Sequence, residues 1–141
     1  MAEPGRRVVV VWASDSFRTT LADLGTELGV GLLGWEAGAP PVRDAIAVVV
    51  MAGGMEADGL DRLGELGPPG PPRFLVGAAT DHRIGAAAVR SGASDYFALP
   101  ADLDLFRRTL ERLAREADTA APAEAFAAEE RNGTGFGAMV G

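Results

Sequence analysis

The chain has 141 residues and 48% hydrophobic content, enough for one globular core and a tail. A formal net charge of -7 disfavours direct binding to nucleic acid or anionic membrane, since both would repel the surface, and points to protein partners. There is no Cys, which excludes a disulfide framework, a thiolate metal site and a cysteine nucleophile, and all thirteen basic residues are Arg, so the chain has no Lys at all.

Residues 8–12 form a continuous run of Val ending in Trp, the pattern of a strand covered on both faces in a parallel sheet. Ser14, Asp15 and Ser16 are good helix N-cap types, and Phe17, Leu21, Leu24 and Leu28 follow at the spacing of one apolar helix face, which Gly29 closes. Residues 30–35 read as a weaker second strand. The stretch 37–42, with Pro40-Pro41 in its middle, cannot make a normal helix, so the second crossover is expected to be short or irregular. Residues 45–51 are the next β-branched run. Gly53-Gly54 then loosen the chain before Leu60, Leu63 and Leu66 mark a short helix, which residues 68–72 terminate.

A fourth strand is expected over residues 74–78, an Ala-rich helix over 81–91 capped by Gly92, and a fifth strand over 95–99 ending at Pro100. Asp102 can cap a last helix that places Leu103, Phe106, Leu110 and Leu113 on one face and Arg107, Arg108, Glu111 and Arg112 toward solvent. Five βα units in this order predict a flavodoxin-like, doubly wound, five-stranded parallel sheet with helices on both faces. The apolar runs are too short to span a bilayer, and Arg6-Arg7 lead straight into the first strand without a signal-peptide pattern, so the expected location is cytoplasmic. From residue 116 to 130 the composition turns to Ala, Glu and Pro. An exposed, partly helical linker is expected there, interrupted at Pro122.

Residues 8–21, 51–66 and 89–110 resemble a CheY-type response-regulator receiver domain, over roughly residues 5–115 in all. The strongest match is Arg90-Ser91-Gly92-Ala93-Ser94-Asp95-Tyr96-Phe97-Ala98-Leu99-Pro100, similar to the family's Arg-x-Gly-Ala through an aromatic to Lys-Pro, with Leu99 where the Lys belongs. The resemblance implies Mg²⁺ held by an acidic pair after the first strand, a phosphoryl-accepting Asp after the third, and Thr and Lys gripping the phosphoryl oxygens. Counting along the chain, the acidic pair falls at Trp12 and Ala13. Asp58-Gly59-Leu60, which resembles the family's Asp-Gly-Leu, puts the acceptor at Met51, or at Val50 with a one-residue gap. The Thr falls at Gly77 or Ala78. None of these side chains can do the family's job, so no metal, cofactor or phosphoryl switch is expected, and the domain reads as a pseudo-receiver.

The tail Phe136-Gly137-Ala138-Met139-Val140-Gly141 is similar to the opening of the AAA+ ATPase domain of sigma-54-dependent activators. Receiver, linker (116–135) and that opening (136–141) in series imply the N-terminal part of an NtrC-type transcription activator. A P-loop would need a Lys, and this chain holds none.

Other residues have plainer explanations. Trp12 reads best as a plug in a vacated pocket, although it lies where doubly wound sheets bind ligands. Asp15, Asp58 and Asp81 are better explained by capping and loop solvation than as substitute acceptors. His82 is the only His, which excludes a His-based metal cluster. Gly53-Gly54 lack the glycine series of a dinucleotide loop. Tyr96 sits at the family's switch-aromatic position and either joins Arg90, Asp95, Arg107 and Glu111 in the expected interaction face or serves as a partly buried structural Tyr. No catalytic constellation is present. The expected function is regulation of an adjoining AAA+ domain through protein contacts, with homodimerisation. The alternatives are a small-molecule sensor using the apolar crevice of Trp12, Met51 and Leu99, and a purely structural dimerisation module.

Overall fold

The computed structural model describes residues 6–36, 39, 44–68 and 70–133, with side chains of the last helix described as far as residue 118. Five parallel strands, β1 (Arg7–Trp12), β2 (Gly31–Gly34), β3 (Ala47–Met51), β4 (Arg73–Gly77) and β5 (Asp95–Ala98), form one sheet in the order β2-β1-β3-β4-β5. This is the doubly wound order in which the connections leave β1 toward opposite edges, and the crevice between β1 and β3 is the switch point where such sheets bind ligands. The expected flavodoxin-like α/β fold is the one observed.

Four consecutive valines explain β1. Alternation sends Val8 and Val10 (each 0% exposed) to one face and Val9 and Val11 (2% and 1%) to the other, so each side chain enters a core. Burial of one Val stabilises by about 2 kcal/mol, and only a strand covered on both sides can collect that from four in a row. On the first face lie α1 (Arg18–Leu28) and α4 (Leu103–Gly133), which bring Leu21, Leu24, Phe106, Leu110 and Ala114 onto the sheet. Phe74, Phe97 and Phe106 stack through this layer with ring centroids 5.7 and 5.2 Å apart. On the second face lie α2 (Glu56–Gly64) and α3 (His82–Arg90), contributing Leu63 and Ala88. Helix α2 can approach this closely because Gly59 has no side chain: a Cβ there would overlap the Ala52 methyl and lie 2.9 Å from Leu75 Cδ1.

The second crossover, expected to be short or irregular, forms no helix among its described residues 35, 36, 39 and 44–46, and the described residues contain four helices; three other expectations need correction. Pro40 and Pro41 lie outside the described residues. Ser14, Asp15 and Ser16 do not cap α1: Phe17 precedes the helix in the left-handed region (φ 65°) with no side-chain cap, because the Ser14 hydroxyl is engaged elsewhere. The Asp102 carboxylate turns back to accept the Ala98 N–H (3.0 Å), tying down the end of β5 while its carbonyl accepts the Phe106 N–H (2.9 Å) in α4. Finally, α4 runs through Pro122 without interruption, so residues 116–130 belong to that helix. A proline removes one donor and crowds one carbonyl, and the flanking Ala and Glu residues have the highest helix propensities to offset that cost.

Gly29 closes α1 as expected in the left-handed conformation (φ 67°), and Asp81 caps α3 by accepting the Arg83 N–H at 2.9 Å. No described helix is long and apolar enough to cross a membrane. Residues 136–141 lie outside the described part.

Candidate functional site

The parallel register brings the five positions singled out in the sequence to one end of the sheet. Trp12 pairs with Met51, Met51 with Val76, and Gly77 with Ala98. Backbone bonds extend this edge: Ala13 and Ser14 N–H both donate to the Met51 carbonyl (2.9 Å each), and Leu99 N–H donates to the Gly77 carbonyl (2.8 Å).

What fills this end is core. Met51 is 0% and Leu99 2% exposed, and both pack into the layer formed by α1 and α4. Val50, the alternative acceptor position, is also fully buried, on the opposite face. Either register therefore gives an apolar, desolvated side chain where an ionic site would need a carboxylate facing water and a cation. Trp12 is half-buried against the α1/α4 layer, with the Arg18 guanidinium 3.9 Å above its ring. This is a cation–π contact of about 0.5–1 kcal/mol at an exposed site. Arg18 also pairs with Asp15 at 2.6 Å.

The loops after β1 and β3 are latched to each other. Ser14 Oγ donates to the Gly53 carbonyl (2.7 Å) and accepts the Ser16 N–H (3.0 Å). The Phe17 ring lies on Gly53 so closely that a Cβ there would come within 2.8 Å of it. Phe17 holds its positive φ, which costs a bulky residue on the order of 1–3 kcal/mol, to seat its ring in this position. A side-chain hydrogen bond and an aromatic contact thus join the two loops at the end of the switch-point crevice.

A different arrangement lies over β4. Glu56, the first residue of α2, places Oε2 within hydrogen-bond distance of three backbone donors: Ala78 N–H (2.7 Å), Ala79 N–H (3.1 Å) and Gly54 N–H (3.2 Å). Burial raises its pKa, but the bonds donated by Ala78, its own backbone, Ala79 and Gly54 outweigh this, so the carboxyl is held below the ordinary 4.5. Beside it the Tyr96 hydroxyl donates to the Ala79 carbonyl (2.6 Å). Burial, and then the negative charges of Glu56, Asp102 and Asp81, push this phenol up to about 12.

Glu56 did not stand out in the sequence, because an acidic residue in the first turn of a helix is expected from the helix dipole alone. The available signal was its position two residues beyond Gly53-Gly54, facing a fourth strand that ends in Gly77. Of the other acidic residues, Asp15 is committed to Arg18 and Asp81 to capping α3. Among the described residues there is no group of three His, Cys, Asp or Glu that could hold a metal ion. His82 is 90% exposed in its side chain.

The expected interaction face divides in two. Arg90 and Asp95 are exposed near β5, and Tyr96 is half-buried among the residues of the α2/α3 layer. Arg107, in contrast, reaches across to Glu27 of α1 (2.8 Å) and contacts Glu111 (4.0 Å) on its own helix. Exposed Val89 and Leu105 lie on α3 and α4. A cleft of about 680 Å³ is lined by Trp12, Gly34, Trp35, Glu36, Arg62 and Glu65. It shares Trp12 with the expected apolar crevice, while Met51 and Leu99 are not part of its lining.

No family model matches the chain, and no curated protein matches it. Solved structures do. A response regulator receiver protein from Pseudoalteromonas atlantica is similar over 79% of this chain and 98% of its own, with a TM-score of 0.63 and 20% identity. NtrX from Brucella abortus, solved in complex with ADP, is similar over 89% of this chain and 30% of its own, with a TM-score of 0.62 and 20% identity. A response regulator from Burkholderia pseudomallei, bearing a phosphorylated aspartic acid with a calcium ion and citrate, gives a TM-score of 0.58 at 20% identity, over 84% of this chain and 74% of its own. With its all-parallel sheet and this strand order, the chain has the flavodoxin-like fold of response-regulator receiver domains.

Proposed function

We propose that this chain is a phosphorylation-independent, receiver-like regulatory domain that controls an adjoining sigma-54-dependent AAA+ ATPase through protein contacts and homodimerisation. The observation that carries the proposal is the chemistry of the strand ends: Trp12, Ala13, Met51, Gly77 and Leu99 occupy the aligned edge, Met51 and Leu99 are core residues, and no Lys exists anywhere in the chain. A hard cation needs oxygen ligands and a phosphoryl group needs an acceptor carboxylate, and the side chains at these five positions supply neither. Control then operates by population shift, with a partner binding one arrangement of the domain more tightly than another. The proposed contact surface is the face of Arg90, Asp95, Tyr96, Arg107 and Glu111, to which the helices α3 and α4 add the exposed apolar side chains of Val89 and Leu105.

Two measurements test this reading. Incubation with acetyl phosphate and Mg²⁺, followed by intact-mass analysis, is expected to give no phosphoryl adduct, and a stoichiometric adduct overturns the reading. Sedimentation of the full chain is expected to show a dimer that Leu105→Glu weakens. A strict monomer removes the homodimer from the proposal. A second reading, small-molecule sensing, is favoured by the cleft between Trp12 and Trp35. Its signature would be a tryptophan fluorescence change that saturates with ligand.

A further inference from the structure

Glu56 is placed as a helix-opening acid, yet two of its three backbone donors lie 22 and 23 residues further along the chain, in the loop between β4 and α3. That loop is held from two sides. Its amides at Ala78 and Ala79 point at the Glu56 carboxylate, and the carbonyl of Ala79 accepts the Tyr96 hydroxyl. Gly77 makes the arrangement possible: a Cβ there would stand 2.7 Å from Glu56 Oε2 and 2.7 Å from the Tyr96 oxygen. Three converging N–H groups form a seat for an anion, and bonds from N–H to a charged oxygen are roughly twice as strong as neutral ones.

We propose that Glu56 is a built-in anion that occupies a backbone amide seat over β4 and so holds the β4–α3 loop, and with it the inward position of Tyr96, in one conformation. The loop's state is then set by the chain itself and requires no added group. Its regulatory meaning rests on the phosphorylation-independent reading, whereas the seat and its occupant rest on the geometry alone. A partner that draws α2 away from the sheet would withdraw the anion and release the loop and Tyr96 together, which couples the α2 surface to the surface beside β5.

The test is amide and aromatic NMR of the full chain carrying Glu56→Ala or Glu56→Gln. In Glu56→Ala the Ala78 and Ala79 amides are expected to shift and to exchange roughly tenfold or more faster, the effect of losing a hydrogen bond of about 1.4 kcal/mol, while the Tyr96 ring resonances move with them. Glu56→Gln keeps an acceptor without the charge and is expected to fall between Glu56→Ala and wild type. Formate added to Glu56→Ala is expected to return the Ala78 and Ala79 amides toward their wild-type positions, and chloride at equal ionic strength is not. Changes confined to residues 54–58, with Ala78, Ala79 and Tyr96 unmoved, overturn the proposal, as does equal or absent recovery with the two anions. A phosphoryl adduct on the wild-type chain would instead overturn the functional reading and leave the Glu56 seat standing.

Discussion

The two halves of the strand-end surface solve opposite problems. Over β1 and β3, Trp12, Met51 and Phe17 extend the hydrophobic core to the rim, and the Ser14 hydroxyl latches one loop to the next. Over β4 and β5, the rim stays polar, with the Glu56 carboxylate among three amides and the Tyr96 hydroxyl on a carbonyl. The first half is built by packing; the second holds an anion supplied by the chain itself. One strand-end surface therefore carries an apolar rim on one side and a fixed charge on the other.

The most severe way to break this contrast is to put a carboxylate where packing rules. Met51→Asp buries an unpaired charge at a 0% exposed position and is expected to destabilise by about 4 kcal/mol in urea unfolding, without creating a phosphorylatable site. On the polar half, Gly77→Thr forces a side chain against Glu56 and Tyr96. It is expected to cost about 2 kcal/mol by overpacking and to displace the Tyr96 ring in the NMR spectrum.

Titration sharpens the comparison with a smaller effect. Tyr96 is the single Tyr in a chain without Lys or Cys, so its absorbance titration is free of overlapping side chains up to the Arg range. Its midpoint is expected near the value of about 12 set by burial and the facing carboxylates, and Glu56→Gln is expected to lower it. Because the folded phenol is raised above its ordinary 10.0, this group's contribution to stability is complete below pH 10 and is lost as pH rises through about 12. Glu56 has the opposite sign. Its folded pKa lies below 4.5, so its contribution is present above that value and disappears as pH falls through the lower folded pKa, which an acid series of urea melts of wild type and Glu56→Gln would read. The smallest change is Arg18→Ala, which removes the cation from Trp12. About 0.5 kcal/mol and a tryptophan fluorescence shift are expected.

Much of this was legible in the residues. The unbroken valine runs could only be strands buried on both faces, and their alternation with apolar-striped helices determined the sheet type. Counting from the receiver resemblance pointed to Trp12, Met51 and Gly77, and the sheet register puts these residues at the C-terminal ends of their strands. What sequence reasoning missed depends on contacts far apart in the chain. Ser14 reads as a cap, but its hydroxyl finds a carbonyl 39 residues away. Glu56 reads as a dipole partner for its own helix, but its strongest donor belongs to the next strand's loop. Pro122 reads as a break because a local rule takes no account of the helix-forming residues on both sides.

The central claim is that the strand-end pocket is closed to phosphoryl chemistry. Amide NMR of residues 1–141 during titration with Mg²⁺ and beryllofluoride, an aspartyl-phosphate mimic that requires an acidic pocket, tests it most directly. The account predicts that the amides of Ala13, Ser14, Ala52, Gly53, Ala78 and Ala79 stay unmoved throughout. Saturable shifts at those positions would contradict it and identify the domain as a working phospho-switch.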